Sequence, residues 1–137
     1  MEHFITCNWT EDMSFDSEIN GHKISLDADE IVGGRDIGPR PKPLLLLALS
    51  GCTGMDVISL LKKMRVKYDN FHIDVKGVLT EDHPKYYHQI HLVYNVSGMN
   101  IDKSKVEKAI MLSQDKYCGV NYMLGKSSSI TYTINYL

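Results

Sequence analysis

Two thiols stand in contexts that could do chemistry. Cys52 sits in Leu49-Ser50-Gly51-Cys52-Thr53-Gly54-Met55-Asp56-Val57, and Cys118 lies between Lys116-Tyr117 and Gly119. The thiolate is the reactive form of cysteine, so what matters is what surrounds each sulfur. Gly51 and Gly54 each weaken a helix by about 1 kcal/mol relative to alanine. Two in one turn leave room for the close approach of a backbone or ligand, although plain helix packing also uses glycine. Free cysteine is among the most often buried residues, so Cys52 taken alone reads first as a small core hydrophobe. Cys118 falls where one helix ends and another begins. Unpaired N–H groups there would lower its pKa; the alternative is an unreactive helix-end cysteine. Cys7, in an apparent strand, reads as core.

Other reactive side chains form no recognisable set. His88 and His91 are three apart in a strand pattern and so face opposite sides. His83 and His88 flank a turn, with no cysteine or carboxylate at zinc-ligand spacing. Leu49-Ser50-Gly51 lacks the first glycine of a hydrolase elbow, and Gly33-Gly34-Arg35-Asp36 does not sit between a strand and a helix as a dinucleotide loop would. No metal and no cofactor are predicted.

The elements that must position the thiols follow from patterning. Pro39, Pro41 and Pro43 hold the chain extended, Pro43 suits a first helical position, and Leu44 to Leu49 is apolar on every side. The run predicts a helix from about Pro43 to Met64, roughly 33 Å long at about 1.5 Å per residue, with its first turns buried all round. Before it, strands are predicted from His3 to Trp9, through Met13, Phe15 and Ile19, and after the Asn20-Gly21 hairpin signal. Asp27 to Arg40 reads as a loop. After the helix, Phe71 to Leu79 and Tyr87 to Ser97 alternate as paired antiparallel strands. Ser104-Lys105-Val106-Glu107 has capping-box spacing ahead of a helix whose stripe is Val106, Ala109, Ile110 and Tyr117. A short helix over Val120 to Leu124 and a strand from Ile130 to Tyr136 complete an α+β chain.

The chain has 137 residues and a net charge of −2. That is one domain's worth, able to bury a core unaided. The charge argues against nucleic acid or an acidic membrane surface as partner. Met1-Glu2-His3-Phe4 does not begin a signal-peptide pattern, and no apolar run approaches the roughly 20 residues of a membrane span. Three cysteines suit a reducing compartment. A cytoplasmic location is expected.

Leu44-Leu45-Leu46-Leu47-Ala48-Leu49-Ser50-Gly51-Cys52-Thr53-Gly54-Met55-Asp56-Val57, followed by Lys116-Tyr117-Cys118, resembles the OsmC/Ohr family of osmotically inducible and organic-hydroperoxide-resistance proteins. The resemblance runs from about Gly38 to the C-terminus, and the N-terminal hairpin order agrees with it. It implies a single OsmC-like domain over 1–137, with antiparallel sheets wrapped around long central helices in an intertwined homodimer. It also implies thiol-dependent reduction of organic hydroperoxides in oxidative stress. Cys52 would be peroxidatic and become a sulfenic acid. Cys118 would resolve it as a disulfide, and a small or protein dithiol would re-reduce the pair.

The sequence departs from the family's peroxidase pattern at two places. A glutamate about ten residues before the first cysteine is replaced by Lys42 or Pro43, and an arginine of the N-terminal hairpin by Asp12 or Met13. Arg35, Arg40 or Lys42 could supply the missing cation, since a nearby positive charge stabilises a thiolate. Without one, the scaffold would be a redox sensor without turnover, or a binder of apolar ligands with inert thiols. The pattern is closer to a less characterised OsmC-like branch.

Overall fold

The proline-flanked apolar run forms one long helix, α1, Pro41–Lys63. It starts two residues ahead of the sequence expectation. Both Pro41 and Pro43 fall in the first turn, where backbone N–H groups have no intrahelical partner to lose. The computed structural model describes residues 1–137 and resolves into two compact units, Met1–Leu45 and Leu46–Leu137. The architecture is α+β, as the patterning predicts, with two three-stranded sheets.

The first unit is a meander of β1 (Cys7–Glu11), β2 (Ser14–Ile19) and β3 (His22–Leu26). The Asn20-Gly21 turn closes β2 on β3 with φ of 52° and 80°, the paired positive values that make this dipeptide a hairpin signal. Two expectations change. Pairing of β1 with β2 ends at Cys7 opposite Ser17, so the strand begins at Cys7 and not His3, and Cys7 is exposed instead of core. Met13 belongs to the β1–β2 turn, which Asp12 makes at φ 48°. The loop from Asp27 is tied down by one side chain. The buried Asp27 carboxylate accepts from the backbone N–H groups of Ala28, Arg35 and Ile37 at 2.7, 3.1 and 3.2 Å.

In the second unit β4 (Asn70–Leu79) pairs antiparallel with β5 (Tyr87–Ser97). α2 (Lys103–Leu112) follows, then a π-helical turn over Ser113–Tyr117, α3 (Gly119–Leu124) and β6 (Ser129–Tyr136). β6 lies beside β5 in parallel register, Ile90 opposite Ile130 and Tyr94 opposite Ile134. This sheet is therefore mixed, not antiparallel throughout, because the helical crossover returns the chain in the direction it left. The core unites Leu49, Val57 and Leu61 of α1, Ile90, Leu92, Tyr94 and Val96 of β5, and Val106, Ala109 and Ile110 of α2. α2 is capped by Asp102, whose carboxylate accepts from Lys105 N at 3.2 Å, in place of the Ser104 box. Tyr117 is exposed, because the wider π turn carries it off the α2 stripe.

Burial of α1 also differs from the expectation. Leu49, Thr53, Val57 and Leu61, spaced by four, are the buried stripe, while Leu45 and Leu47 are 46% and 65% exposed and Met55 76%. Contrary to the sequence expectation, the helix is long and apolar enough, by length and composition alone, to cross a membrane. One stripe of it serves as the inner wall of the second unit.

Candidate functional site

Cys52 and Asp56 are one turn apart on α1, which sets their side chains on the same face. They flank the buried stripe and are half-buried. Cys118 comes from 66 residues further on. It is the N-cap of α3, held there after the π turn, and is 3% exposed. The two sulfurs and a carboxylate oxygen of Asp56 all lie within 4.8 Å of one another.

Cys118 meets the start of α3 as predicted. Its sulfur accepts from Asn121 N at 3.3 Å. The consequence for its charge is the reverse of the expectation. Burial pushes the thiol up to about 12, and its hydrogen bond to Cys52 pushes the same way; the Asn121 N–H opposes them without prevailing. In a desolvated site a single N–H does not offset the loss of water around a thiolate. Cys118 is therefore held as a neutral thiol against the Cys52 sulfur.

A buried hydroxyl network braces the pair. Thr53 Oγ1, next to Cys52, hydrogen-bonds Tyr94 OH at 2.7 Å and Ser113 Oγ at 2.8 Å. Ser113 donates to Asp56 Oδ2 at 3.0 Å, which fixes the carboxylate that faces the thiols. Gln114 donates through its side-chain amide to Tyr94 OH, and Asn121 Nδ2 donates to Gln114 O at 2.9 Å. Burial raises the Tyr94 phenol above its ordinary range, although the Thr53 and Gln114 hydrogen bonds pull it down. It is a neutral partner here. Asn121 Oδ1 is buried with no hydrogen-bond partner, an open acceptor in the turn that carries Cys118. Sequence reasoning missed Thr53, Asp56, Tyr94, Ser113 and Asn121. The only signal for any of them was Asp56 standing four residues after Cys52.

Two clefts reach these groups. One of about 420 Å³ runs along the start of α3 beside Cys118, Asn121 and Tyr122, with Lys116 and Lys126 on its rim. A smaller one of about 190 Å³ is lined by Asp56, Ser59, Leu60, Lys63 and Tyr117.

The cations considered from sequence belong to the first unit, and the two arginines have carboxylate partners there. Arg35 pairs with Glu11 at 3.1 Å and Asp12 at 3.5 Å. Arg40 pairs with Asp36 at 2.6 Å and Asp29 at 3.6 Å, which raise its pKa mainly through the Asp36 hydrogen bond. Lys42 is exposed in the first turn of α1.

Comparison with known proteins places this geometry in a family. The sequence profile of the family described as OsmC-like protein matches residues 33–133. Protein YhfA of Escherichia coli K12 is 32% identical over 126 residues, covering 91% of each chain. Among solved structures, a hypothetical protein of Aquifex aeolicus VF5 superposes with a TM-score of 0.84 at 29% identity, covering 100% of this chain and 99% of its own. An organic hydroperoxide resistance protein of Elizabethkingia anophelis shares the fold, with a TM-score of 0.69 at 15% identity and coverage of 100% and 99%. With the profile spanning most of the chain and both thiols inside it, the chain belongs to the OsmC-like family.

Proposed function

We propose that this chain is a cytoplasmic thiol-dependent reductase of organic hydroperoxides, a single OsmC-like domain acting as a homodimer. The observation that carries the reading is the convergence of Cys52 and Cys118 within 4.8 Å beside a fixed carboxylate. The hydroperoxide resistance protein of the same fold supports the substrate class.

In the reaction, the Cys52 thiolate attacks the hydroperoxide O–O bond. The distal oxygen stays on sulfur as a sulfenic acid, and the alkoxide leaves as the alcohol after taking a proton. Cys118 then attacks the Cys52 sulfur, losing its proton as hydroxide departs as water, and a disulfide forms. A dithiol reductant reopens it by exchange. The two sulfurs, within 4.8 Å of each other, close to the roughly 2.0 Å of an S–S bond when the disulfide forms. The apolar run from Leu44 to Leu49, which precedes Cys52 on α1, favours an alkyl substituent, at about 25 cal/mol per Å² of apolar area removed from water.

Exposed Leu45, Leu47 and Met55 support the homodimer, because apolar patches of this kind mark interaction sites. A Cβ added at Gly51 would meet nothing within 4 Å in one chain, which leaves that face of α1 open to a second copy. Arg35, Arg40 and Lys42 remain the proposed thiolate-stabilising cations. The carboxylates already bound to both arginines favour one second reading, a redox sensor oxidised once without turnover.

The test is consumption of cumene hydroperoxide with dithiothreitol as reductant. The parent is expected to turn over many times, Cys52→Ser not at all, and Cys118→Ser is expected to accumulate overoxidised Cys52. A single stoichiometric oxidation of the parent would leave the sensor reading, and equal turnover in all three proteins would overturn both.

A further inference from the structure

The set of side chains around the thiols has a property that peroxide chemistry does not use. Two sulfurs and one carboxylate oxygen converge, Cys52 and Asp56 from one face of α1 and Cys118 from the start of α3, and all three are acceptors once the thiols lose their protons. Tetrahedral zinc holds sulfur at about 2.3 Å and carboxylate oxygen at about 2.0–2.2 Å, so ligand atoms around it stand roughly 3.6–3.8 Å apart. The three atoms here need to close by about an ångström at most. Asp56 is already oriented by the Ser113 hydroxyl, 3.0 Å from Oδ2, the kind of outer partner that metal-bound carboxylates use. Cys118 is likewise fixed by Asn121 N.

We propose that in the reduced protein Cys52, Asp56 and Cys118 form a binding site for a thiophilic divalent cation, Zn²⁺ above all, with a fourth position open to solvent or a small ligand. The site rests on the same thiols as the peroxidase reading but not on their reaction with peroxide. Soft thiolates select zinc over magnesium or calcium, and the single carboxylate completes a three-ligand set of the open kind. Binding displaces the thiol protons, so affinity rises with pH. The dication also reverses the penalty that burial places on the Cys118 thiolate.

Zinc occupancy and disulfide formation exclude one another, because both use the two sulfurs. A hydroperoxide that oxidises the zinc-bound pair takes two electrons from the thiolates. With two protons from solvent it leaves as alcohol and water, the S–S bond forms, and Zn²⁺ departs. Oxidation by peroxide thus releases the ion.

The experiment titrates reduced, metal-free, full-length protein with Co²⁺, followed by back-titration with Zn²⁺. Expected are one Co²⁺ per chain, intense sulfur-to-cobalt charge-transfer absorption, and its loss as Zn²⁺ displaces the probe. The disulfide form of the same chain is expected to bind none, a comparison independent of variant folding. Asp56→Asn, with its fold checked by circular dichroism, is expected to weaken Zn²⁺ binding by at least about tenfold, as loss of even an outer partner does. Absence of charge-transfer absorption, undiminished binding by the disulfide form, or equal affinity in Asp56→Asn would each overturn the site. Turnover of cumene hydroperoxide is measured separately in excess chelator. Zinc binding without turnover sinks only the peroxidase reading, and turnover without zinc binding sinks only this one.

Discussion

Ser113 hydrogen-bonds Asp56 across 57 residues of sequence, at 3.0 Å, and so fastens the turn that presents Cys118 to the helix that presents Cys52. The same hydroxyl meets Thr53 at 2.8 Å, and Ser113 and Thr53 are fully buried. Ser113→Ala removes both contacts, leaving the buried Thr53 hydroxyl short of a partner and the half-buried Asp56 carboxylate without its brace. The expected cost is about 1–3 kcal/mol of stability, read as a lower urea midpoint with an unchanged slope. Disulfide formation should slow as well, since the two sulfurs lose a shared brace. A variant as stable as the parent would show that the network adds nothing to the fold.

How much of this was legible beforehand divides along a physical line. Local signals found α1 from its proline-led apolar run, the hairpin from Asn20-Gly21, and by alternation the side of β5 that holds Ile90, Leu92, Tyr94 and Val96, because each is carried by residues adjacent in sequence. The parallel pairing of β6 was not legible, since it depends on the path of the crossover and not on the strand's own residues. The capping box failed because Ser104 and Asp102 are both competent caps, and only the helix start decides between them. Asp56 was overlooked for another reason: a carboxylate on a helix reads as solvated until tertiary structure brings a second thiol to it. The apolar run from Leu44 misled in the opposite direction, because a side that is apolar need not be buried within its own chain.

That last point gives a contrast between neighbours on α1. Leu49 is fully buried and Leu47 is 65% exposed. Leu49→Ala should cost about 2–5 kcal/mol through lost burial and the cavity left behind. Leu47→Asp should leave the fold intact but expel a second copy from this face, because a carboxylate does not enter an apolar interface unpaired. Sedimentation equilibrium reads the difference: a parent that is dimeric and a Leu47→Asp protein that is monomeric. Identical masses for the two would remove α1 from the interface.

The three thiols should also differ in their rates of alkylation. Cys7 is exposed and Cys118 buried, with Cys52 between. Burial holds Cys118 protonated up to about 12, so at pH 8 only about one part in ten thousand is thiolate. Iodoacetamide followed by peptide mapping should label Cys118 last in the native reduced protein. It should become as reactive as Cys7 only after unfolding. Early labelling of Cys118 would mean that its thiol is not held as the geometry requires.

Acid should weaken the loop that Asp27 organises. Burial pushes this carboxyl up, but the N–H groups of Ala28, Ile37 and Arg35, with Ser14, together pull it below the ordinary carboxylate range. A group depressed in the folded state stabilises above its unfolded pKa, about 3.9, and that contribution fades as pH falls through the folded value. Asp27→Asn keeps the shape but loses the charge to which three N–H groups donate, and charge-assisted hydrogen bonds are the stronger kind. The parent should therefore be more stable than Asp27→Asn at neutral pH. The gap should narrow as the pH is lowered below about 4, measured by thermal unfolding across a pH series. A gap that stayed constant down to the lowest pH would assign the stabilisation to the shape of Asp27 and not to its charge.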